Sequence, residues 1–465
     1  MTAALASSLI IGPATALLPA AAVSVDAPAV ATGSDSAAAP ASGSASEAGG
    51  SPASDPDNGR GPVPVYEVVG TEVSGGSDLS SAADVEPGVY RDVLDQGGSD
   101  VGTTRFYQLP ALKEGESVHA AAVLALDSQK DVDSDGSAQL GLEFVNPHGD
   151  SCGTMDTSRA SPGSTTLPLV AAGRSDVMEA GSYGCFEDES GRVIVKVTRE
   201  GQWQADEQVP LELRFWIEPP VDEDQLSEAS EDDAPPESVT ASGDATPLEA
   251  GSSFATATEI EPDQVYSLEI RPYQVQYFRV PVEYGQRLSY RLSTGNNEDA
   301  SVQGVSSAAY NPLFNAPRML NSGASSLRYS DVGAVATGNI AVPVSQNEYG
   351  SFQFSELRIG GDYYITVSAS EPRSNREGSQ PFRYELAAAV TGDASGTTEW
   401  VSQAHDQQAD GVEDEGAEAQ ASGASGAGGW FPTGTELGAL LGGVGLGAVL
   451  IAVVWLLLRR RNRSV

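Results

Sequence analysis

Short runs in which every second residue is apolar dominate residues 66–391 and constrain the fold more than any other feature. In RVIVKVTRE, Val193, Val195 and Val197 share one face. In DYYITVSAS, Tyr363, Ile365 and Val367 do the same. In VPLELRFWI, Leu211, Leu213, Phe215 and Ile217 alternate with Glu212, Arg214 and Trp216. Gly, Pro, Asn and Asp bound these runs, and outside the termini no long stretch carries the 3.6-residue period of an amphipathic helix. The pattern predicts an all-β chain of antiparallel sheets, each with one face in a core and one in water. Two ordered blocks, 66–220 and 251–391, are each long enough for two sheets packed as a β-sandwich.

The blocks are alike. Glu86-Pro87 leads to Val89-Tyr90, as Glu261-Pro262 leads to Val265-Tyr266. Phe106-Tyr107-Gln108-Leu109-Pro110 with Gly115 beyond it parallels Tyr277-Phe278-Arg279-Val280-Pro281 with Gly285 beyond. Gly191 precedes Val193/Val195/Val197 as Gly361 precedes Tyr363/Ile365/Val367, and Pro210-Leu211-Glu212-Leu213 parallels Pro381-Phe382-Arg383-Tyr384. Matches in the same order point to a tandem duplication. This order of a turn, a Tyr, an aromatic pair, apolar-Pro, Gly and a late alternating strand resembles the bacterial pre-peptidase C-terminal domain. The second block carries it better. The resemblance implies small jelly-roll-like sandwiches that act as accessory binding modules on secreted and surface proteins, with no catalytic residues to transfer.

The termini predict a topology. Met1–Ala22 reads as a signal peptide, with Ala20 and Ala22 at the −3 and −1 positions of a cleavage site, although no Lys or Arg precedes the apolar run. An uncleaved apolar tail is the alternative. Leu437–Leu458 is free of charge and long enough to cross a bilayer. Arg459, Arg460, Arg461 and Arg463 follow it, so the expected arrangement is a single-pass type I protein with 459–465 in the cytoplasm. Residues 430–436 are the interfacial segment. There, Phe431-Pro432-Thr433-Gly434 falls one residue short of a wall-sorting motif, which favours a retained anchor. Gly438/Gly442 and Gly443/Gly447 have the spacing that lets two membrane helices approach closely and self-associate.

Acidic residues number 65 against 25 basic ones. Nucleic acid is thereby excluded as an expected partner, since phosphate recognition needs a basic patch. Residues 23–65 form a tail poor in large apolar groups. Residues 221–250 hold ten acids and 392–429 hold eight, both without Lys or Arg. All three read as disordered segments, the last two as a linker and a stalk extended by self-repulsion. Only three basic residues are Lys, and abundant Ala and Gly suit a high-GC bacterium such as an actinobacterium.

Few residues suggest chemistry. The three His are His119, His148 and His405, and no nucleophile elbow, metalloprotease helix or phosphate loop is present. Cys152 and Cys185 are the only cysteines; outside the cell such a pair is expected to form one disulfide. Asp131-Val132-Asp133-Ser134-Asp135-Gly136 places carboxylates at alternate positions before a Gly, the pattern of a Ca²⁺ loop. Position twelve is Leu142 rather than Glu, so an EF-hand is excluded. A Ca²⁺ loop through Asp131, Asp133 and Asp135 and a solvated acidic hairpin tip both remain. Trp203, Trp216, Tyr310, Phe314, Tyr329 and Tyr349 are candidate stacking surfaces for a glycan or peptide, and 301–350 is expected to form long loops.

The expected function is a non-catalytic, membrane-anchored extracellular module that binds or scaffolds another envelope protein or a surface glycan. The alternatives are a Ca²⁺-stabilised glycan- or wall-binding protein and an uncharacterised secreted hydrolase.

Overall fold

The computed structural model describes residues 63–95, 103–132, 136–181, 185–187, 190–231, 233, 239–320, 325–374 and 380–401. The signal peptide, residues 23–62, most of the stalk, the interfacial segment, Leu437–Leu458 and the arginine tail lie outside these residues. Among the described residues no helix is long and apolar enough to cross a membrane.

The described residues are all-β, with four five-stranded sheets among them in two sandwich-like pairs. In the first sandwich one sheet has the order β1-β3-β10-β5-β8: β1 Thr71–Glu72, β3 Gly88–Leu94, β10 Val209–Glu218, β5 Ser117–Leu124 and β8 Leu169–Arg174. Its mate runs β2-β4-β9-β6-β7: β2 Ala83–Asp84, β4 Thr103–Gln108, β9 Ile194–Gly201, β6 Ala138–Val145 and β7 Ser151–Ala160. The second sandwich repeats this. One sheet is β11-β13-β20-β15-β18: β11 Thr246–Pro247, β13 Val265–Ile270, β20 Phe382–Thr391, β15 Arg287–Thr294 and β18 Val335–Asn339. The other is β12-β14-β19-β16-β17: β12 Thr258–Glu259, β14 Val275–Val282, β19 Gly361–Ala369, β16 Gly304–Tyr310 and β17 Ser325–Arg328. Region 301–350 thus holds three strands as well as loops.

The duplication holds strand by strand. In each sandwich the two short leading strands pair in parallel with the third and fourth, and the longer pairings are antiparallel. Tyr107 faces Val195 in the first sandwich as Phe278 faces Ile365 in the second, and all four are buried. The Tyr90 hydroxyl accepts from the Glu86 amide at 3.1 Å, and the Tyr266 hydroxyl from the Glu261 amide at 3.0 Å. Gly115 and Gly285 turn at φ +83° and +84°. A Cβ there would lie 2.8 Å from Pro220 or 2.4 Å from the Asp393 carbonyl, where the chain leaves the last strand of each sandwich. One pairing read from the sequence moves. Tyr90 pairs with Leu213 and Tyr266 with Leu386, so Leu213 corresponds to Leu386, two residues on from Tyr384. A two-residue slip preserves the face, which is why period-two alternation does not detect it.

The expectation of one wet face per sheet fails at the centre of the molecule. In β5 all eight residues are buried, and in β19 the out-of-phase Tyr364, Thr366 and Ser368 are buried with Tyr363, Ile365 and Val367. The sheet containing β10 packs its outer face on the outer face of the sheet containing β19. Ala121, Val123, Val170, Ala172 and Trp216 meet Tyr277, Phe314 and Tyr364 there. Phe254 stacks on Phe314 at 4.3 Å and 25°, and meets Tyr277, Tyr310 and Tyr364 edge-on at 5.1–5.4 Å. Polar links cross the same seam, from Ser128 Oγ to the Tyr273 carbonyl at 2.7 Å and from Ser306 Oγ to the Thr165 carbonyl at 3.1 Å.

The acidic segment 221–250 is not a free spacer. Ser227 and Ser230 bond to Asn347 and Glu348, and Arg318 pairs with Asp233 at 3.2 Å. Val239 and Ala241 are buried against Val265, Ala387 and Ala389 on the outer face of the β11–β18 sheet. Arg291 donates to the Val239 and Ala241 carbonyls at 3.2 and 3.0 Å. Self-repulsion is outweighed because two arginines and an apolar sheet face receive the segment. The first residues of the expected stalk are also docked: Thr398 and Val401 are buried.

Candidate functional site

The seam between the sandwiches opens at one end into a crevice of about 520 Å³. Glu218 reaches it from the end of β10, where Pro219-Pro220 stops the strand. Arg358 follows the short 3-10 turn Ser355–Leu357, Tyr349 lies in the turn Gln346–Gly350, and Trp400 comes from the segment after β20.

The floor is a buried ionic cluster. Arg358 donates through Nη2 to Glu218 Oε2 at 2.8 Å and through Nε to Oε1 at 3.3 Å. His119 Nε2 lies 2.8 Å from the same Oε2, Ser117 Oγ donates to it at 3.2 Å, and Arg174 Nη1 stands 3.9 Å away. The Tyr349 ring centroid lies 5.5 Å from each guanidinium carbon of Arg174 and Arg358. Trp400 stacks on the His119 ring at 5.4 Å and 30°. Burial alone would raise the Glu218 carboxyl; the His119 hydrogen bond and the Arg358 guanidinium outweigh it and hold the group well below the usual carboxylate range. Burial pushes the His119 imidazole down to about 4. His119 Nε2 lies between Glu218 Oε2 and, at 3.1 Å, Arg358 Nη2, while buried Nδ1 makes no hydrogen bond.

A linkage effect follows. An unfolded His titrates near 6.5. Between about 6.5 and about 4 the unfolded chain therefore carries a proton that the fold refuses, and stability falls as pH drops. Glu218 adds loss in the same direction at lower pH, because its folded group stays ionised while the unfolded one protonates. Urea midpoints at pH 7 and pH 5 should differ more for the native chain than for His119→Phe. Equal differences in the two proteins would remove His119 as the source.

His119 lacks the geometry of a catalytic base. In a Ser-His-acid triad the acid holds one ring nitrogen and the nucleophile the other. Here Glu218 holds Nε2, and Nδ1 is buried without a hydroxyl partner. Ser117, the nearby serine, bonds to Glu218.

The residues singled out from sequence have other fates. Cys152 and Cys185 form a disulfide, with Cα atoms 4.8 Å apart and both residues buried in the first sandwich. Closing a 33-residue separation stabilises by about 3–4 kcal/mol in the chain-entropy model. Asp131 occupies a left-handed turn at φ 50°, beside Lys130, whose carbonyl accepts from the Trp203 indole at 2.9 Å. Asp133 and Asp135 lie outside the described residues, and among those described no group of three or more His, Cys, Asp or Glu could hold a metal ion. The candidate stacking aromatics are mostly interior. Trp203 is in the first core, Trp216 and Phe314 are in the seam, and Tyr310 packs against that seam. Tyr329 packs against the second core and lies 3.5 Å beneath Arg373. Trp216 does leave the core set, as its phase predicts, but the second sandwich covers it. Tyr349 alone of the six lines the crevice. No local sequence pattern marks Glu218, Arg358 or Trp400. The one local signal was His119 in SVHAAAVL, a basic side chain inside a strand otherwise suited to burial.

No family model matches the chain, and no curated protein does. Among solved structures it is similar to a chain in the cryo-EM structure of Broad Bean Stain Virus, at 10% identity and TM-score 0.18 over 70% of this chain and 94% of that one. It is also similar to the CBM22-1–CBM22-2 tandem of Paenibacillus barcinonensis Xyn10C, at 10% identity and TM-score 0.17 over 66% and 92%. A chain of naturally empty cowpea mosaic virus particles matches at 10% identity and TM-score 0.18 over 74% and 95%. Similarity at these scores carries no conclusion about function.

Proposed function

We propose that this chain is a non-catalytic binding module of a bacterial envelope, displayed outside the cell on a single C-terminal membrane helix, with the crevice between its sandwiches as the binding site. One observation carries the reading: a crevice of about 520 Å³, within the usual range for small-ligand sites, is floored by a buried ion cluster and bordered by Tyr349 and Trp400. Both sandwiches and the segment after β20 contribute to it. The family resemblance to pre-peptidase C-terminal domains, accessory modules without catalytic groups, supports the same reading. So does the apolar, charge-free Leu437–Leu458 followed by arginines.

Crosslinking of the full-length protein in its host membrane, followed by capture, tests this. A specific envelope protein or glycan should be recovered, and recovery should drop with Tyr349→Ala/Trp400→Ala. Equal recovery with that variant would remove the crevice from the binding site.

A further inference from the structure

The lining of the crevice specifies a class of ligand, an inference that rests on reading the crevice as a binding site. Arg358 and Glu218 form a two-point pair, and His119 is neutral at physiological pH. Arg174, 3.9 Å from Glu218, adds a second positive charge to the floor, and carboxylates on the rim oppose it. A free anion would have to compete with Glu218 for Arg358, and the rim adds Asp222 and Glu399. A free cation would stand near Arg358 and Arg174, whose guanidiniums already lie against the Tyr349 ring. Removing a charged ligand from water without a partner of its own is costly, which disfavours both.

What the crevice does offer is neutral. Gln225, Gln346 and Thr397 are exposed there and supply amide and hydroxyl groups that both donate and accept, and Trp400 supplies an aromatic wall. Alternating hydroxyls with an apolar C–H face to lay on an aromatic ring is the chemistry of a sugar.

We infer that the crevice binds a short neutral saccharide, with a pyranose ring against Trp400 and its hydroxyls on the Gln and Thr side chains. The site is formed where the two sandwiches and the segment after β20 meet.

The test uses the full-length protein in detergent micelles. Envelope glycans of the host are digested and separated into neutral, anionic and cationic oligosaccharide pools, and binding of each is measured by calorimetry. The neutral pool should bind. Trp400→Ala should weaken it about tenfold, and Gln346→Ala, an exposed change, should weaken it without altering the melting temperature. Absence of neutral-pool binding, preference for a charged pool, or undiminished binding by a folded Trp400→Ala protein would each overturn the saccharide assignment. If that assignment fails while Tyr349→Ala/Trp400→Ala still abolishes capture of a protein partner, the crevice remains a binding site with a different occupant.

Discussion

Replacing Arg358 by Met should destabilise the folded chain by about 3–5 kcal/mol, the usual cost of stripping one partner from a buried ion pair. The reason is the state of Glu218. Its carboxylate is buried and ionised, and Arg358 supplies two of its contacts. Without the guanidinium, His119 and Ser117 remain, neither charged at neutral pH, and the one nearby positive charge is Arg174, 3.9 Å away, partly exposed and making no hydrogen bond to Glu218. Met fills much of the space, so packing changes little and the loss is electrostatic. The second change Glu218→Gln should recover most of the loss, because an amide needs hydrogen bonds and no counter-charge. Chemical unfolding of the single and double variants measures both. A single variant within about 1 kcal/mol of the native chain, or a double variant no better than the single, would contradict this account.

Phe254→Ala should cost a similar amount, about 3–5 kcal/mol, and in a different manner. Phe254 belongs to neither sandwich core. It fills the seam and touches Tyr66, Tyr277, Tyr310, Phe314 and Tyr364 at once. Its deletion leaves a cavity in the layer that joins the sandwiches, while the cores around Leu213 and around Phe278 keep their own contacts. Calorimetry of the native protein should show one cooperative transition, and Phe254→Ala should separate it into two. Retention of one transition at an unchanged temperature would show that the seam contributes little.

These two residues mark where sequence reasoning stops. Alternation in RVIVKVTRE and DYYITVSAS was enough to predict the strands, the sandwich class and the inward residues, because burial on one face leaves a period of two. Paired turn glycines and Tyr positions revealed the duplication. The cysteine count pointed to the bridge. The seam left a weaker trace, because a strand covered on both faces loses its alternation. Trp216 and Tyr364 read as outward-facing, and only the position of the other sandwich makes them interior. The ion cluster left less still. His119 and Glu218 are 99 residues apart, and Glu218 and Arg358 are 140 apart. Each is ordinary in its local context. The acidic linker misled for a related reason: its composition describes its solubility, while its path depends on Arg291, Arg318 and a strip of alanines elsewhere in the chain.

The seam joins unlike faces of two like bodies. The first sandwich presents the sheet containing β10; the second presents the sheet containing β19, whose counterpart in the first is the sheet containing β9. Such head-to-tail contact does not close on itself and could in principle be extended. A third copy would dock on the outer face of the β11–β18 sheet, the counterpart of the face that already carries the second sandwich. There the register sets Ala387 and Ala389 where the first sandwich has Arg214 and Trp216. Val239 and Ala241 of the linker lie across those alanines. Solenoid proteins end their stacks with a capping repeat whose outer surface is closed to further growth. Here a strip of the chain's own connecting segment covers the corresponding face.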